Sequence, residues 1–187
     1  MSDNECLIHV DFSENYTCKL ASEIQAMHFS QTQATLHTGV LYTGGVEEHM
    51  CFGTISPSKE KSPPAIWVHL SPILDEVKAF YPSIEVVHFF SDGPTTQYRQ
   101  KGNFFLLSTE HLNRGFKRST WNFFEAGHGK GAPDGVGGHL KRTADKLVSQ
   151  GRDIGSAQDL YRALVDSGTV RVFYIAEDVV EHPQKNA

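Results

Sequence analysis

The sequence predicts a mixed α/β fold in a chain of 187 residues. Short runs rich in β-branched and aromatic residues, bounded by turn residues, are typical of strands. Longer segments with apolar residues at helical spacing lie between several of these runs. Two strand-like runs meet near Gly44-Gly45, and strands and helices alternate after that point. This order predicts a sheet whose first strands are antiparallel and whose later strands are parallel, flanked by helices.

The N-terminal half contains three predicted strands and two predicted helices. The strands cover residues 7–12, 33–43 and 51–56. The Gly44-Gly45 turn between the last two predicts that they form an antiparallel hairpin. Helical spacing of apolar residues predicts one helix over 13–29 and another over 65–80. Pro72 is expected to start or kink the second helix, because proline cannot donate a backbone hydrogen bond.

The C-terminal half alternates more regularly. Strands are predicted over 84–92 and 119–126, with a strand-like run over 170–180. Helices are predicted over 95–112 and over 156–168, the second beginning after the capping residue Ser156. A further helix is predicted in the second half of the glycine-rich stretch GHGKGAPDGVGGHLKRTADKLVSQG, ending near Gly151. We predict a core over residues 1–152 and a C-terminal extension over 153–187.

Composition excludes several classes of protein. Hydrophobic residues make up 39% of the chain and charged residues 21%, which suits a folded domain and is too apolar for a disordered one. No apolar run approaches the roughly 18–20 residues that cross a bilayer, and no secretory signal pattern is visible. Three cysteines without a CxxC pair argue against a disulfide framework or a four-cysteine zinc site, which favours a reducing compartment.

Charge is distributed unevenly along the chain. The net charge of −5 argues against a nucleic-acid binder that acts alone. The segment from Arg99 to Arg152, however, contains ten Lys or Arg residues against four Asp or Glu residues. One interpretation is a solvated, basic helix face, and the other is a surface that faces phosphate groups.

Three acidic residues occupy comparable places in the predicted fold. Asp11 lies near the end of the first strand, Asp92 ends the strand over 84–92, and Asp134 opens a helix. Because the C-terminal ends of parallel strands share one edge of a sheet, these carboxylates are expected to converge. Hard divalent cations such as Mg²⁺ or Mn²⁺ would relieve the repulsion among them, and a pair of such ions supports phosphoryl transfer. For any single aspartate, a helix cap remains the alternative.

The glycine-rich stretch is the most distinctive segment of the chain. Six glycines fall between Gly127 and Gly138, interleaved with His128, Lys130 and Asp134. The pattern is neither the phosphate-binding GxxxxGK[ST] loop nor a dinucleotide-binding GxGxxG. It predicts a backbone that lies close to a nucleic-acid phosphate or a metal ion, and the alternative is a hinge.

Several blocks of this sequence together resemble a class of transposase-derived proteins. The blocks are VDFSENY (10–16), EIQAMHFSQTQATLHTGVLYT (23–43), FFSDGPTTQYRQKGNFF (89–105) and WNFFEAGHGKGAPDGVGGHLKR (121–142). The resemblance covers roughly residues 7–150. It implies the ribonuclease H-like catalytic core of DDE/DDD transposases and integrases, in which acids lie on the first strand, after the fourth strand and on a helix after the fifth.

The resemblance and the residue pattern together assign candidate roles. Carried over by position, Asp11, Asp92 and Asp134 are the catalytic carboxylates and the metal ligands for two Mg²⁺ or Mn²⁺ ions. Glu125, at the end of the strand before, is an alternative third carboxylate. His128 is a further catalytic candidate that would orient water, bind metal or donate to phosphate. The candidate contacts to nucleic acid are Arg99, Lys101, Lys130, Lys141 and Arg142.

These assignments predict metal-dependent phosphoryl transfer on DNA, as in the nuclease and strand-transfer core of a transposase or integrase. One alternative is an interaction domain that keeps the fold without catalysis, and another is a ribonuclease or exonuclease. The net negative charge predicts that DNA affinity comes from a separate DNA-binding region or from an oligomer. The resemblance implies a nuclear location, and the lack of an apolar run of bilayer length predicts no membrane partner.

Overall fold

The computed structural model describes residues 1–22, 32–45, 49–93, 95–124 and 131–183. The strands within these ranges are β1 (Glu5–Phe12), β2 (Tyr16–Thr17), β3 (Gln33–Thr43), β4 (His49–Ser56), β5 (Val86–Ser91), β6 (Arg118–Phe123) and β7 (Arg171–Tyr174). The helices are α1 (Pro63–Phe80), α2 (Lys101–Asn113), α3 (Ala132–Ser149), α4 (Ala157–Leu164) and α5 (Glu177–Glu181).

The long strands form one mixed sheet in the order β6-β5-β1-β3-β4-β7, and the short β2 pairs with β3. Strands β1, β3 and β4 are antiparallel neighbours, as the Gly44-Gly45 turn predicts. Strand β5 then joins the other side of β1 in parallel, and β6 joins β5 in parallel. The fold is therefore the mixed α/β sheet that the sequence predicts, with antiparallel first strands, parallel later strands and flanking helices.

Burial alternates along β1, and this pattern shows which side chains lie on each face of the sheet. Cys6, Ile8, Val10 and Phe12 are buried, while the residues between them are only partly buried. The buried set packs into a core with α1 and with β5 and β6, where Phe89 stacks on Trp121 at 4.8 Å between ring centres. Each strand thus sends every second side chain into this layer.

The opposite face of the sheet is covered by α3 and α4. Val136, Leu140 and Ala144 of α3 pack against Leu36 and Val40 of β3 in a second core. Their spacing of three and four residues gives α3 one apolar side, which lies on the sheet. Asp11 belongs to this face of β1, so α3 is the helix that lies over it.

Three elements differ from the sequence prediction. The helix predicted over 13–29 is wrong where the structure describes it, because Tyr16 and Thr17 are extended and pair with β3; residues 23–31 lie outside the described ranges. The helix predicted over 95–112 begins only at Lys101. The strand predicted over 170–180 ends at Tyr174, and α5 follows, with acids in its first turn that favour a helix start.

The glycine-rich stretch also becomes helical earlier than its composition predicts. Helix α3 begins at Ala132, so that Gly135, Gly137 and Gly138 lie within it. Pro72 lies inside α1, which begins at Pro63 with proline in its first turn.

The C-terminal segment belongs to the same sheet. Strand β7 pairs in parallel with β4 over four residues, from Phe52–Arg171 to Ile55–Tyr174. Helix α4 contributes Leu160 and Leu164 to the core beneath α3. No helix in the described ranges is both long and apolar enough to span a bilayer.

Candidate active site

The first candidate carboxylate lies on the face of β1 that α3 covers. Asp11 is the last residue before Phe12 ends the strand, and it is paired with Thr38 of β3. His9 lies two residues earlier on the same face, opposite Val40. Asp11 is only partly buried, so its carboxylate retains access from one side.

The second carboxylate follows the next strand. Asp92 comes directly after β5, which runs parallel to β1 with His9 paired to Phe90. Continuing that register by two residues places Asp92 beside Asp11 at the C-terminal edge of the parallel pair. Ser91 anchors this point, because its hydroxyl accepts a bond of 2.9 Å from Trp121 Nε1 and donates one of 2.7 Å to the carbonyl oxygen of Asp92.

The third carboxylate lies in the first turn of α3. Asp134 Oδ2 accepts a hydrogen bond of 3.1 Å from the backbone N–H of Gly131 and thus caps the helix. The helix start is fixed to the sheet, because the Thr38 hydroxyl donates a bond of 3.0 Å to the Pro133 carbonyl oxygen. The cap uses one of the two oxygens of Asp134, so the capping interpretation and the ligand interpretation are compatible.

Electrostatics link the three carboxylates. Burial, together with the negative charges of Asp92 and Asp134, raises the pKa of Asp11 to about 7. Burial also raises the pKa of Asp92, and the charge of Asp134 adds to the effect. The charges of Asp92 and Asp134 thus disfavour ionisation of Asp11, and a nearby cation would oppose that effect.

The donor chemistry of the site fits a hard divalent cation. Asp92 Oδ1 is buried and has no hydrogen-bond partner within the described part of the chain. A buried carboxylate oxygen without a partner is costly, and metal ligation is one way to satisfy it. The ligands on offer are carboxylate oxygens, the type that Mg²⁺ and Mn²⁺ prefer. Among the described residues, however, no group of three or more His, Cys, Asp or Glu side chains is gathered closely enough to hold one ion.

Two side chains that the sequence analysis did not single out lie beside these acids. The His9 ring packs at 4.9 Å from Phe124, and a Cβ at Gly131 would lie only 2.8 Å from its Cε1 atom. Burial lowers the pKa of His9, and the charge of Asp134 opposes that shift. His9 lies two residues before Asp11 on a strand, and alternate residues of a strand face the same side. This spacing could have predicted that His9 lies at the site.

Lys61 is the second such residue. Its Nζ atom lies 5.2 Å from the centre of the Phe12 ring, and its charge lowers the pKa of Asp11, against the larger effect of burial. Burial lowers the pKa of Lys61 itself, and the charge of Asp11 opposes that shift. Lys61 comes from the polar loop before α1, where nothing local in the sequence points to the site.

The glycine-rich stretch is expected to bring its backbone close to a phosphate or a metal ion. At two of its glycines, the backbone instead lies close to side chains of the protein itself. A Cβ at Gly137 would lie 1.9 Å from Ser13 Oγ, and one at Gly131 would meet His9. These glycines let α3 lie directly on β1 and the residue that follows it.

The predicted nucleic-acid contacts fall in different places. Arg99 is exposed beside the second carboxylate, since a Cβ at Gly93 would lie 3.6 Å from its Cδ atom, and its guanidinium lies 5.8 Å from the centre of the Phe123 ring. Lys101 is exposed at the start of α2. Lys141 and Arg142 are neighbours on α3, and the Lys141 ammonium donates a bond of 3.5 Å to the carbonyl oxygen of Glu14.

Three predicted site residues are not placed. Glu125, His128 and Lys130 lie outside the described residues. The choice between Asp134 and Glu125 as third carboxylate therefore stays a prediction, as do the roles of His128 and Lys130.

Comparison with known proteins adds a family and a set of distant structural neighbours. A family model described as "Domain of unknown function (DUF8701)" matches residues 1–187. No curated protein sequence matches this chain. Among solved structures, the chain is similar to the manganese-soaked nuclease domain of the human cytomegalovirus terminase. That alignment has a TM-score of 0.39 and 11% identity, and it covers 93% of this chain and 67% of the other.

Two further structures of the same domain match similarly. One aligns with a TM-score of 0.38 and 10% identity over 96% of this chain and 71% of the other. The manganese-soaked, inhibitor-bound form aligns with a TM-score of 0.36 and 8% identity over 97% and 70% of the two chains. At these TM-scores the likeness carries no conclusion about the chemistry of this chain, and the fold rests on its own strand order.

Proposed function

We propose that this chain, which belongs to the DUF8701 family over residues 1–187, is a divalent-metal-dependent enzyme of phosphodiester cleavage or transfer on DNA. The observation that carries the proposal is the buried Oδ1 of Asp92, which has no hydrogen-bond partner among the described residues and lies beside a second carboxylate, Asp11. Burial and the acidic neighbours of Asp11 raise its pKa to about 7. A site of this kind stabilises positive charge and is unfavourable without it.

The acidic and the basic side chains at the site would have different roles. Asp11, Asp92 and Asp134 would hold Mg²⁺ or Mn²⁺, which when bound neutralises phosphate charge and stabilises the attacking and leaving oxygens. Lys61, whose charge acts on Asp11, supplies a cation at the rim of the same site. Arg99 would bind a phosphate next to the scissile position, because its side chain passes Gly93 directly after Asp92.

DNA is proposed as the substrate on the basis of charge and of the sequence resemblance. Arg99 lies with Asp92 in the connection between β5 and α2, and Lys141 and Arg142 lie with Asp134 on α3, so cations accompany both acids. The net charge of −5 leaves these cations too few for tight binding, so a separate DNA-binding region or an oligomer would supply affinity.

The finer assignment is to a transposase-derived, integrase-like core that acts in the nucleus. It is supported by the order of the acids along the chain: one on the first strand, one after the fourth long strand, and one on the helix after the fifth. A ribonuclease or exonuclease would use the same site, and only the substrate would differ.

The first test is metal binding by isothermal titration calorimetry. We expect saturable Mn²⁺ binding in the wild type, and its loss in Asp92→Asn, which keeps the side-chain shape while removing the charge. Asp166→Asn is the matched control, since Asp166 is an exposed acid distant in sequence from the site. Equal binding by the wild type and Asp92→Asn would contradict the proposal.

The second test identifies the substrate. The wild type, Asp92→Asn and Asp166→Asn variants are incubated with labelled duplex DNA, single-stranded DNA and RNA in Mn²⁺. The proposal expects cleavage or joining of DNA that is lost in Asp92→Asn and kept in Asp166→Asn. Cleavage of RNA alone would support the ribonuclease alternative.

A non-catalytic interaction domain is the second candidate. It is favoured by the fact that the described residues contain no group of three or more ligand side chains gathered around one point. Under this alternative the chain binds DNA or a protein without cutting it, and Asp92→Asn leaves that binding unchanged.

A further inference from the structure

We propose that Tyr98 is a positioning residue for the acidic site, holding the segment after Asp92 against β3 and so setting the distance between Asp92 and Asp11. The inference rests on the proposed function, because it assigns Tyr98 a task only if these carboxylates act together. Tyr98 itself is not a catalytic residue in this proposal, since it acts through the chain that carries Asp92.

Both ends of Tyr98 are fixed. Its side chain is fully buried, and its hydroxyl shares a hydrogen bond of 3.0 Å with His37 Nε2 in β3. Its backbone carbonyl oxygen accepts a bond of 2.9 Å from Asn103 Nδ2 of α2. Asn103 is in turn fixed by Trp67 of α1, whose Nε1 donates a bond of 2.9 Å to Asn103 Oδ1. Tyr98 is thus hydrogen-bonded to β3 and to α2, and Asn103 extends the connection to α1.

The partner at the hydroxyl end lies on β3, one residue before the position that pairs with Asp11. His37 is fully buried and is paired across the sheet with Phe12, the residue after Asp11. Its ring lies 4.4 Å from the Phe12 ring. The neighbour of His37 on the strand is Thr38, which is paired with Asp11 and bonded to the start of α3. The Tyr98–His37 bond therefore connects the Asp92 segment to the part of the sheet that carries Asp11.

The Tyr98–His37 bond belongs to a group of buried polar side chains that lowers the stability of the core. His37 Nδ1 and His69 Nε2 are buried without hydrogen-bond partners in the described part of the chain. The two rings lie 5.5 Å apart, and the second is bonded to Thr54 through its Nδ1 atom at 2.7 Å. Buried polar networks with unsatisfied atoms reduce stability relative to apolar packing. A polar pair at this place is therefore better explained by the geometry it imposes than by the stability it contributes.

The segment that Tyr98 holds is otherwise weakly anchored. Residues 95–98 form a turn rather than a helix, and α2 begins only at Lys101. Thr95 and Thr96 are exposed, and among the described residues the Gln100 amide bonds to carbonyl oxygens of Thr96 and Gln97 within the same turn. Within the described part of the chain, the Tyr98–His37 bond is the side-chain hydrogen bond that joins this turn to the sheet, and it is lost without the Tyr98 hydroxyl.

Three variants separate positioning from simple stability. Tyr98→Phe removes the hydroxyl and leaves both nitrogens of His37 without a hydrogen-bond partner among the described residues, so it lowers stability. It also removes the connection to the sheet, so it lowers metal affinity. The double variant Tyr98→Phe/His37→Leu removes both polar partners, so stability recovers while the connection to the sheet stays absent. Tyr161→Phe is the matched control, because Tyr161 of α4 packs on Tyr174 of β7 at the edge of the other core.

Two measurements are made on each variant of the full chain. Mn²⁺ affinity is measured by electron paramagnetic resonance, and melting temperature is measured in the metal-free protein. We expect Tyr98→Phe and the double variant to bind Mn²⁺ roughly 10- to 100-fold more weakly, the range seen for groups that orient metal ligands. Tyr161→Phe is expected to bind as the wild type does. Unchanged affinity in Tyr98→Phe, or recovery of affinity together with melting temperature in the double variant, would overturn the inference.

Amide hydrogen exchange of the metal-free protein distinguishes failure of this inference from failure of the proposed function. We expect faster exchange over residues 95–100 in Tyr98→Phe and in the double variant, and unchanged exchange over α4. If the wild type binds no Mn²⁺ while this acceleration is seen, the metal function fails and the Tyr98 connection stands. If exchange over 95–100 is unchanged, the Tyr98 connection fails whatever the metal affinity.

Discussion

Thr38 and Pro133 join the sheet to the helix that carries the third carboxylate. The Thr38 hydroxyl donates a hydrogen bond of 3.0 Å to the Pro133 carbonyl oxygen, and both residues are buried. Thr38 is paired with Asp11 on β3, and Pro133 immediately precedes Asp134. One side-chain bond thus connects the residues next to two of the acids, which are far apart in the sequence.

Thr38→Val is expected to lower the free energy of unfolding by about 1–2 kcal/mol, because a buried carbonyl oxygen loses a partner while the side chain keeps its shape. Urea denaturation measures this change. Thr96→Val, at an exposed turn position, is the control and should change stability little. Equal stability of Thr38→Val and the wild type would show that the bond does not hold α3 in place.

Two glycines of α3 are expected to respond in opposite ways to alanine. Gly137→Ala places a Cβ 1.9 Å from Ser13 Oγ and 3.0 Å from Ser13 Cβ, so the Ser13 side chain or the helix must shift, at a cost of about 1–3 kcal/mol. Gly135→Ala meets nothing within 4 Å and is expected to stabilise the helix by about 0.5–1 kcal/mol. Thermal unfolding of the two variants measures both effects. The same sign for both substitutions would contradict the packing of α3 on β1.

Asp11→Asn is expected to stabilise the metal-free protein at pH 8 by about 1–2 kcal/mol, after allowance for solvent screening at a partly exposed site. The pKa of Asp11 is about 7 in the folded chain against an ordinary value of 3.8. The folded protein therefore binds more protons between about pH 4 and pH 7, and this contribution to stability is lost as pH rises through that window.

Melting temperatures of the wild type and Asp11→Asn in chelator, from pH 4 to pH 8, measure this effect. The difference between them should be small near pH 4 and grow with pH. A gain that is independent of pH, or a variant that is less stable than the wild type at pH 8, would show that Asp11 is not held among like charges.

Arg99→Gln is expected to weaken DNA binding and to lower the slope of log affinity against log salt by about one, the value for a single phosphate contact. Fluorescence anisotropy with a labelled duplex at several salt concentrations measures the slope. Arg152→Gln is the control, since Arg152 is exposed after the end of α3. An equal effect of both substitutions would indicate general electrostatic attraction and no contact by Arg99 beside Asp92.

The sheet and the placement of the acids were predictable because their signals are local. Alternation of buried and partly buried residues marks β1, and an apolar run ending in an acid marks β5. The parallel pairing that puts Asp92 beside Asp11 follows from the alternation of strands and helices. The same rules failed at Tyr16 and Thr17, where pairing with β3 overrides helical spacing.

The rest of the site depends on contacts between distant parts of the chain. The charge of Lys61 acts on Asp11 from a loop. Tyr98 is buried and is hydrogen-bonded to His37, which is 61 positions away in the sequence. Helix α2 begins at Lys101, later than predicted. The turn before it places the Tyr98 side chain in the core, which is again a contact with a distant part of the chain. Composition and periodicity carry no information about such pairs.

The central claim is that Asp11 and Asp92 bind a divalent cation together. Diffraction from crystals soaked in Mn²⁺, with data collected at the manganese absorption edge, tests it most directly. The account predicts an anomalous peak in contact with carboxylate oxygens of both Asp11 and Asp92, which disappears in crystals of Asp92→Asn. Carboxylates that contact only protein donors at millimolar Mn²⁺, with no peak between them, would contradict it.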